Sequence, residues 1–276
     1  SSQTASGSSS SNGYQHLTFF LTDGDPTFSN NVSGTGVANG SGIATDYKDL
    51  NDAITAFNRL DAISTVKAIG IGTSVNADYL QFFDNTDTTG TKTVTLGTVT
   101  LADFQNTTTN FNNMSNWFVS GGGSFSRVEN SGNYRLQVTD PGGWDSTRLE
   151  SEGFQMDASR AVSFTYATGN FPSGSSASAV LQSYNDFSWD TVQTLPLNAT
   201  SSTAAKTFNA VSSAGTYRIV FTVTCPRDKS QNTSATLFVD DITYKYATDK
   251  TVTSDVGEVA IVTEASQLTA ALQGGS

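Results

Sequence analysis

The sequence predicts two architectures in one chain: a partial doubly wound α/β fold at its two ends, and an antiparallel β-sandwich, or jelly roll, inserted between them. Two observations carry this reading. From about Tyr14 to Gly97, and again at the end of the chain, short apolar runs alternate with segments of helical period. From about Thr98 to Ala247 the period changes to two, with Gly, Ser, Asn and Asp between the runs. The expected boundaries are a Ser/Gly linker over 1–13, an α/β part over 14–97 and 250–276, and a sandwich over 98–249. Insertion into a surface loop suits a domain whose own ends lie close together.

The elements follow in order. Leu17, Phe19, Phe20 and Leu21 make a buried strand that breaks at Asp23-Gly24-Asp25-Pro26. The Gly/Asn/Ser-rich passage after it is a surface loop. "TDYKDLNDAITAFNRLDA" is a helix that Thr45 or Asp46 can cap, with Tyr47, Leu50, Ile54, Phe57 and Leu60 on one face. "VKAIGIG" is a short buried strand and "NADYLQFFDN" a second short helix. In "GEVAIVTEASQLTAALQGGS", Val259–Val262 is a strand, Thr263 can cap a helix and Gly274 can end it. Strand alternating with helix implies a parallel sheet. Between these parts, "NYRLQVT", "AVSFTYA", "SAVLQSY", "TYRIVFTVT" and "ATLFVDDITYKY" alternate apolar with polar residues, which is the pattern of a sandwich.

Composition narrows the function classes. A net charge of −11, from 25 acidic and 14 basic residues, opposes binding to nucleic acid or to anionic lipid. The single cysteine, Cys225, excludes an internal disulfide, and the single histidine, His16, leaves little room for triad chemistry or a histidine metal cage. No run approaches the roughly 18 apolar residues of a membrane helix. Crowded carboxylates on such a chain are suited to Ca²⁺, which takes oxygen ligands.

The flanking segments resemble a von Willebrand factor A domain of the kind found in large repeat-rich (RTX) bacterial adhesins. "LTFFLTDGDPT" is similar to that family's fourth strand and third metal loop, "VKAIGIGTSVNADYLQFFDN" to the next strand and helix, and "GEVAIVTEASQLTAALQGGS" to the closing strand and helix. The resemblance places Asp23 at the family's third-loop aspartate. The family's Asp-x-Ser-x-Ser loop has no counterpart here, so the match is to the second half of the fold. The middle segment resembles jelly-roll modules of the carbohydrate-binding and MAM-like type, in "LADFQNTTTNFNNMSNWFVSGGG" and in the two closing strands. That resemblance implies a structural Ca²⁺ held by Asp103 of the opening strand with Asp240 and Asp241 of the closing one. The alternative for the acidic pair is one solvated carboxylate and one bonded to a turn.

The loops of a sandwich are its usual binding surface. "TDPGGWDSTR" offers Trp144 with Asp140, Asp145 and Arg148, an indole to stack on a sugar face and polar groups for its hydroxyls. "SYNDFSWDT" adds Tyr184 and Asp186, with Asn185, Trp189 and Asp190 beside them. Alternation puts Phe187 and Trp189 on one face, which reads as core packing, and Trp117 reads as core too. These resemblances imply an extracellular, non-catalytic region of a larger multidomain adhesin, in adhesion and biofilm formation. It would bind a cell-surface glycan, or a peptide, through a calcium-stabilised sandwich. The alternatives are a spacer without a ligand, and a glycan-active enzyme using Glu150 and Glu152, which on a strand would sit roughly 6 to 7 Å apart on one face.

Overall fold

The computed structural model describes residues 16–27, 29–30, 38–39, 45–108, 110–143, 145–226 and 233–273. The expected linker over 1–13, Trp144 and Gly274 lie outside the described residues. The strands are β1 (Leu17–Thr22), β2 (Ser29–Asn30), β3 (Ala38–Asn39), β4 (Thr65–Ile71), β5 (Gly90–Ala102), β6 (Trp117–Ser120), β7 (Ser124–Asn130), β8 (Asn133–Asp140) and β9 (Thr147–Ser151). They continue with β10 (Phe154–Met156), β11 (Arg160–Thr168), β12 (Ser176–Asn185), β13 (Ser188–Leu197), β14 (Ala204–Thr207), β15 (Gly215–Thr224), β16 (Ala235–Val256) and β17 (Ala260–Val262). The α-helices are α1 (Tyr47–Asp61), α2 (Ala77–Leu80) and α3 (Ala265–Leu272). The chain divides into two compact units. One takes the chain up to Asp25, Ala53–Val94 and the chain from Thr253; the other takes Pro26–Asp52 and Thr95–Val252.

The first unit contains a three-stranded parallel sheet in the order β1-β4-β17. The central strand reads as a nearly continuous apolar run because parallel strands are covered on both faces; Val66, Ala68 and Ile69 are fully buried. Ile69 packs with Val262 and Ala271, so α3 closes over β17. Phe83, just after α2, meets Phe20 at 5.5 Å and Phe57 at 5.9 Å between ring centroids. The expected cap of α3 shifts by one residue. Glu264 and Gln267 form a reciprocal capping box, and Thr263 donates its backbone N–H to Gln267 Oε1 at 2.8 Å.

The second unit is an antiparallel β-sandwich. One sheet runs β13-β12-β15-β9-β6, with β10 also paired to β15; the other runs β14-β11-β16-β8-β7, with β5 also paired to β16. Leu136, Val162, Phe164, Leu237 and Val239 point inward from one sheet, and Leu149, Leu181, Ile219, Phe221 and Val223 from the other. Phe164 and Phe221 meet edge to face at 5.3 Å across the layer. Trp117 is buried and donates its indole N–H to the Phe111 carbonyl at 2.8 Å, which satisfies its one polar atom. Tyr217 donates its hydroxyl to the carbonyl of Ser213, four residues upstream, at 2.6 Å. That bond fixes the entry of β15 into its sheet, the device known as a tyrosine corner.

One charged pair is sealed inside this unit. Arg160 opens β11 and is 1% exposed; its Nη2 lies 2.8 Å from Asp46 Oδ2, whose side chain is 5% exposed. The guanidinium also lies 4.0 Å from the Tyr246 ring centroid and 4.7 Å from that of Tyr244. Tyr246 in turn donates its hydroxyl to Asp157 Oδ2 at 3.0 Å. Asp46 has a second task, because its Oδ1 accepts the backbone N–H groups of Lys48 and Asp49 at the start of α1. Of the two candidate caps, Asp46 therefore acts. Removing one member of a buried pair leaves the other charge without compensation, which costs about 3–5 kcal/mol. Asp46→Ala is accordingly expected to lower the urea-unfolding free energy by about that amount. The double variant Asp46→Leu/Arg160→Met should recover much of the loss, as read from the unfolding midpoints.

Candidate functional site

Strand alternation decides which side chains β15 shows to solvent. Tyr217, Ile219, Phe221 and Val223 face the core, so Arg218, Val220, Thr222 and Thr224 take the outer face, where Val220 is nonetheless fully buried. The register brings neighbours to Arg218: Gln182 of β12 lies opposite it, and Glu150 of β9 lies opposite Val220, one position along. Arg218 donates from Nε to Gln182 Oε1 at 2.8 Å and from Nη1 to Glu150 Oε2. Arg148, two residues before Glu150 and on the same face, donates from Nε to Glu150 Oε1 at 2.5 Å and from Nη2 to Gln182 Oε1 at 3.4 Å. Two guanidiniums, one carboxylate and one amide thus form a hydrogen-bonded network on the outer side of the sheet.

An aromatic step adjoins it. Asn185 pairs with Ser188 and Tyr184 with Trp189 across the β12–β13 hairpin, so both rings face outward, 5.2 Å apart. The Arg218 guanidinium sits 4.4 Å from the Trp189 ring centroid. Gly153 leaves room for the indole, since a Cβ there would lie 3.2 Å from Trp189 Cη2 and 2.9 Å from Thr216 Cγ2. On the far edge strand, Phe118 of β6 lies opposite Glu150 and is 57% exposed. The face from β13 to β6 crosses five strands, about 19 Å at ~4.8 Å per strand.

The residues expected from sequence distribute as follows. Arg148 and Tyr184 belong to this face. Asp186 is the hairpin-turn residue, at φ 50°, a left-handed conformation that Asp tolerates. Next to it Phe187 projects into solvent, 97% exposed, so the expected core pairing of Phe187 with Trp189 gives way to a hairpin tip and an outward indole. Asp140 is 1% exposed and braces a turn: Oδ1 accepts from Gly142 N and Oδ2 from Thr147 N, both at 2.8 Å. It presents no carboxylate to a ligand. Asp145 is exposed on the same loop, and Trp144 lies outside the described residues. Arg218 and Gln182 were not among the expected site residues, and Trp189 was read as core in preference to binding. Glu150 was considered only as half of an acid–base pair with Glu152, but β9 ends at Ser151 and Glu152 lies beyond it, its backbone N–H on the Asn116 carbonyl at 2.7 Å.

The three carboxylates expected to hold calcium lie near one another, and each has protein donors. A bulge on β16, with Asp241 at φ 50°, sets Asp240 and Asp241 together between the inward residues Val239 and Ile242. Asp240 Oδ2 accepts from Asn133 Nδ2 at 2.7 Å and Oδ1 from the Asp241 backbone at 2.9 Å. Asp241 Oδ2 accepts from Thr165 Oγ1 at 3.2 Å. Asp103 Oδ1 is taken by Gln105 N and by Asn112 Nδ2. Among the described residues no group of three or more His, Cys, Asp or Glu side chains could hold a metal ion. Asp23 is exposed at the end of β1, and its neighbour Asp25 accepts from the backbone N–H of Asn76 at 2.8 Å. Asp240 is protein-bonded and partly desolvated. Burial, then the charges of Asp241 and Asp103, push its carboxyl above the usual range.

No protein-family model matches the sequence, and no curated protein matches it. Among solved structures, TmCBM61 in complex with β-1,4-galactotriose is similar at 15% identity and a TM-score of 0.34, over 48% of this chain and 88% of that one. The family 11 carbohydrate-binding module from Clostridium thermocellum, in complex with a β-1,3-1,4-mixed-linked tetrasaccharide, is similar at 12% identity and a TM-score of 0.35, over 59% and 98%. An arabinose-bound α-L-arabinofuranosidase is similar at 15% identity and a TM-score of 0.39, over 53% of this chain and 26% of that one. No helix among the described residues is long and apolar enough to cross a membrane.

Two outcomes follow from the acidic pair. If, as the resemblance implies, Ca²⁺ is held by these carboxylates, adding EGTA should lower the thermal midpoint, and an unchanged midpoint would overturn that expectation. Asp240 takes up its proton more readily in the folded chain than in the unfolded one. Stability therefore falls as pH rises from the unfolded value of about 3.9 through the raised folded value. Asp240→Asn, which keeps an acceptor for the Asp241 N–H, should flatten that slope and raise the midpoint at neutral pH, measured by melts across pH.

Proposed function

We propose that this chain is a non-catalytic glycan-binding region of a larger extracellular protein, and that the outer face of the β13-β12-β15-β9-β6 sheet receives the ligand. One observation carries the reading: Tyr184 and Trp189 form an aromatic step directly beside the Arg218–Glu150–Arg148–Gln182 network. A pyranose ring has apolar C–H faces and a polar equator, so it needs an aromatic plane and, within one sugar's width, directed hydrogen-bonding groups. A ~19 Å face also matches several sugars of an extended chain laid across the strands.

An enzyme is the weaker reading. Glycoside hydrolysis uses two carboxyl groups flanking the bond. Here the carboxylate in the middle of the face has both oxygens in hydrogen bonds with guanidinium groups, and Glu152 is not on its strand.

The wider setting is proposed as a bacterial adhesin of the RTX kind. The α/β unit supports it in part: the strands that resemble the fourth, fifth and closing strands of a von Willebrand factor A domain lie parallel and side by side, in the order β1-β4-β17. The Ser/Thr/Asn-rich, acidic composition suits an extracellular surface.

A glycan array followed by titration calorimetry tests the binding reading. Trp189→Ala is expected to weaken binding of any positive glycan by about ten-fold or more, since one aromatic platform contributes on the order of 1–2 kcal/mol. Phe187→Ala, at the hairpin tip away from the network, should have a smaller effect. Hydrolysis of an array-positive oligosaccharide by the purified chain would instead establish the enzyme.

A further inference from the structure

The central network of this face has an unequal inventory. Both oxygens of Glu150 and the side-chain oxygen of Gln182 already receive guanidinium N–H groups. The unmatched groups are mostly donors: Nη1 of Arg148, Nη2 of Arg218 and the amide nitrogen of Gln182, a residue only 7% exposed, have no protein acceptor among the described residues. The charge is unequal too, because two guanidiniums face one carboxylate and leave one positive charge. Glu150 and Arg148 are the charged groups that act on Arg218. The nearby Asp190 is turned to its own hairpin, accepting from Asn185 Nδ2 at 3.2 Å and from Ser188 Oγ at 3.4 Å.

A neutral hydroxyl placed here can accept a hydrogen bond, but its own hydrogen meets more donors than acceptors, since only the second lone pair of each Glu150 oxygen is left to receive it. A carboxylate is acceptor-only, matches the flat fork of a guanidinium and cancels the surplus charge. The rest of the surface limits how many such groups a ligand can carry. At a net charge of −11, the chain repels a polyanion while screening leaves a single contact at close range effective.

On the glycan reading above, on which it rests, we infer that the preferred ligand carries an isolated acidic sugar. Its carboxylate lies against Arg148 and Arg218, and a neutral neighbouring sugar stacks on Tyr184 and Trp189. Arg148 is the more open of the two guanidiniums, with its side chain 36% exposed against 15% for Arg218, and so makes first contact.

The test is calorimetry on the full chain with three probes. These are a neutral β-linked pyranose tetrasaccharide, the same tetrasaccharide bearing one internal hexuronate, and polygalacturonate. The single-uronate probe is expected to bind about ten-fold more tightly than the neutral one at low salt, with the difference shrinking toward about 0.5 M salt. Arg148→Gln, checked for an unchanged thermal midpoint, should bring the acidic probe down to the neutral probe's affinity. Equal affinity of wild type for both tetrasaccharides would overturn the inference and leave the glycan reading standing. So would a preference that survives Arg148→Gln, or polygalacturonate binding as tightly as the single-uronate probe. Binding of none of the three, with an array that is also silent, would overturn both.

Discussion

The two-residue period of the β-strand is the constraint on which the rest of the second unit depends. Each strand of the β13-β12-β15-β9-β6 sheet must serve the core with one set of side chains and solvent with the other. Tyr217 and Ile219 are sealed against the opposite sheet, and Arg218 between them has only the outer face to occupy. The same rule puts Leu149 inside and Arg148 and Glu150 outside. The candidate site is therefore the reverse side of the core. A one-residue slip of β15 would bury Arg218 and expose Ile219 and Phe221, so the apolar layer that stabilises the unit also holds the polar network in register.

The chain handles its few arginines in two distinct ways. Arg160 is enclosed, and its charge is met by Asp46 and by the faces of two tyrosines. That arrangement is closed to solvent, although Nε and Nη1 of Arg160 have no hydrogen-bond partner within it. Arg218 and Arg148 have a carboxylate and an indole as neighbours as well, but part of each guanidinium still faces water. Similar residue types thus yield a structural joint in one place and a receptive surface in the other. The difference is access to solvent.

Much of the fold was legible in the sequence because it is written in local periodicity. The alternation in "TYRIVFTVT" and "ATLFVDDITYKY" names strands, and the helical spacing from Tyr47 to Leu60 names α1 with Asp46 at its head. The site was legible in part. Arg148 and Tyr184 are polar or aromatic residues beside turns, and that pattern is local. Gln182 and Glu150 join them only through the registers of β12, β15 and β9, which single-strand periodicity does not contain. Trp189 was misplaced although a signal existed. Centring the turn on Asp186 and Phe187 makes Tyr184 and Trp189 a cross-strand pair, and an outward Tyr184 then requires an outward indole. The acidic pair shows another limit: a bulge breaks alternation where Asp240 and Asp241 meet, and their donors Asn133 and Thr165 lie far away in sequence.

Gly153 has a consequence beyond making room. With no side chain there, the indole of Trp189 can come close to the backbone, with the Arg218 guanidinium 4.4 Å and the Tyr184 ring 5.2 Å from its ring centroid. A free side chain of that size surrenders rotamer freedom when it is pinned by a partner. Here folding has already imposed that loss, once, on every molecule. The aromatic plane is pre-organised, and a ligand arriving on it keeps more of its contact energy as affinity.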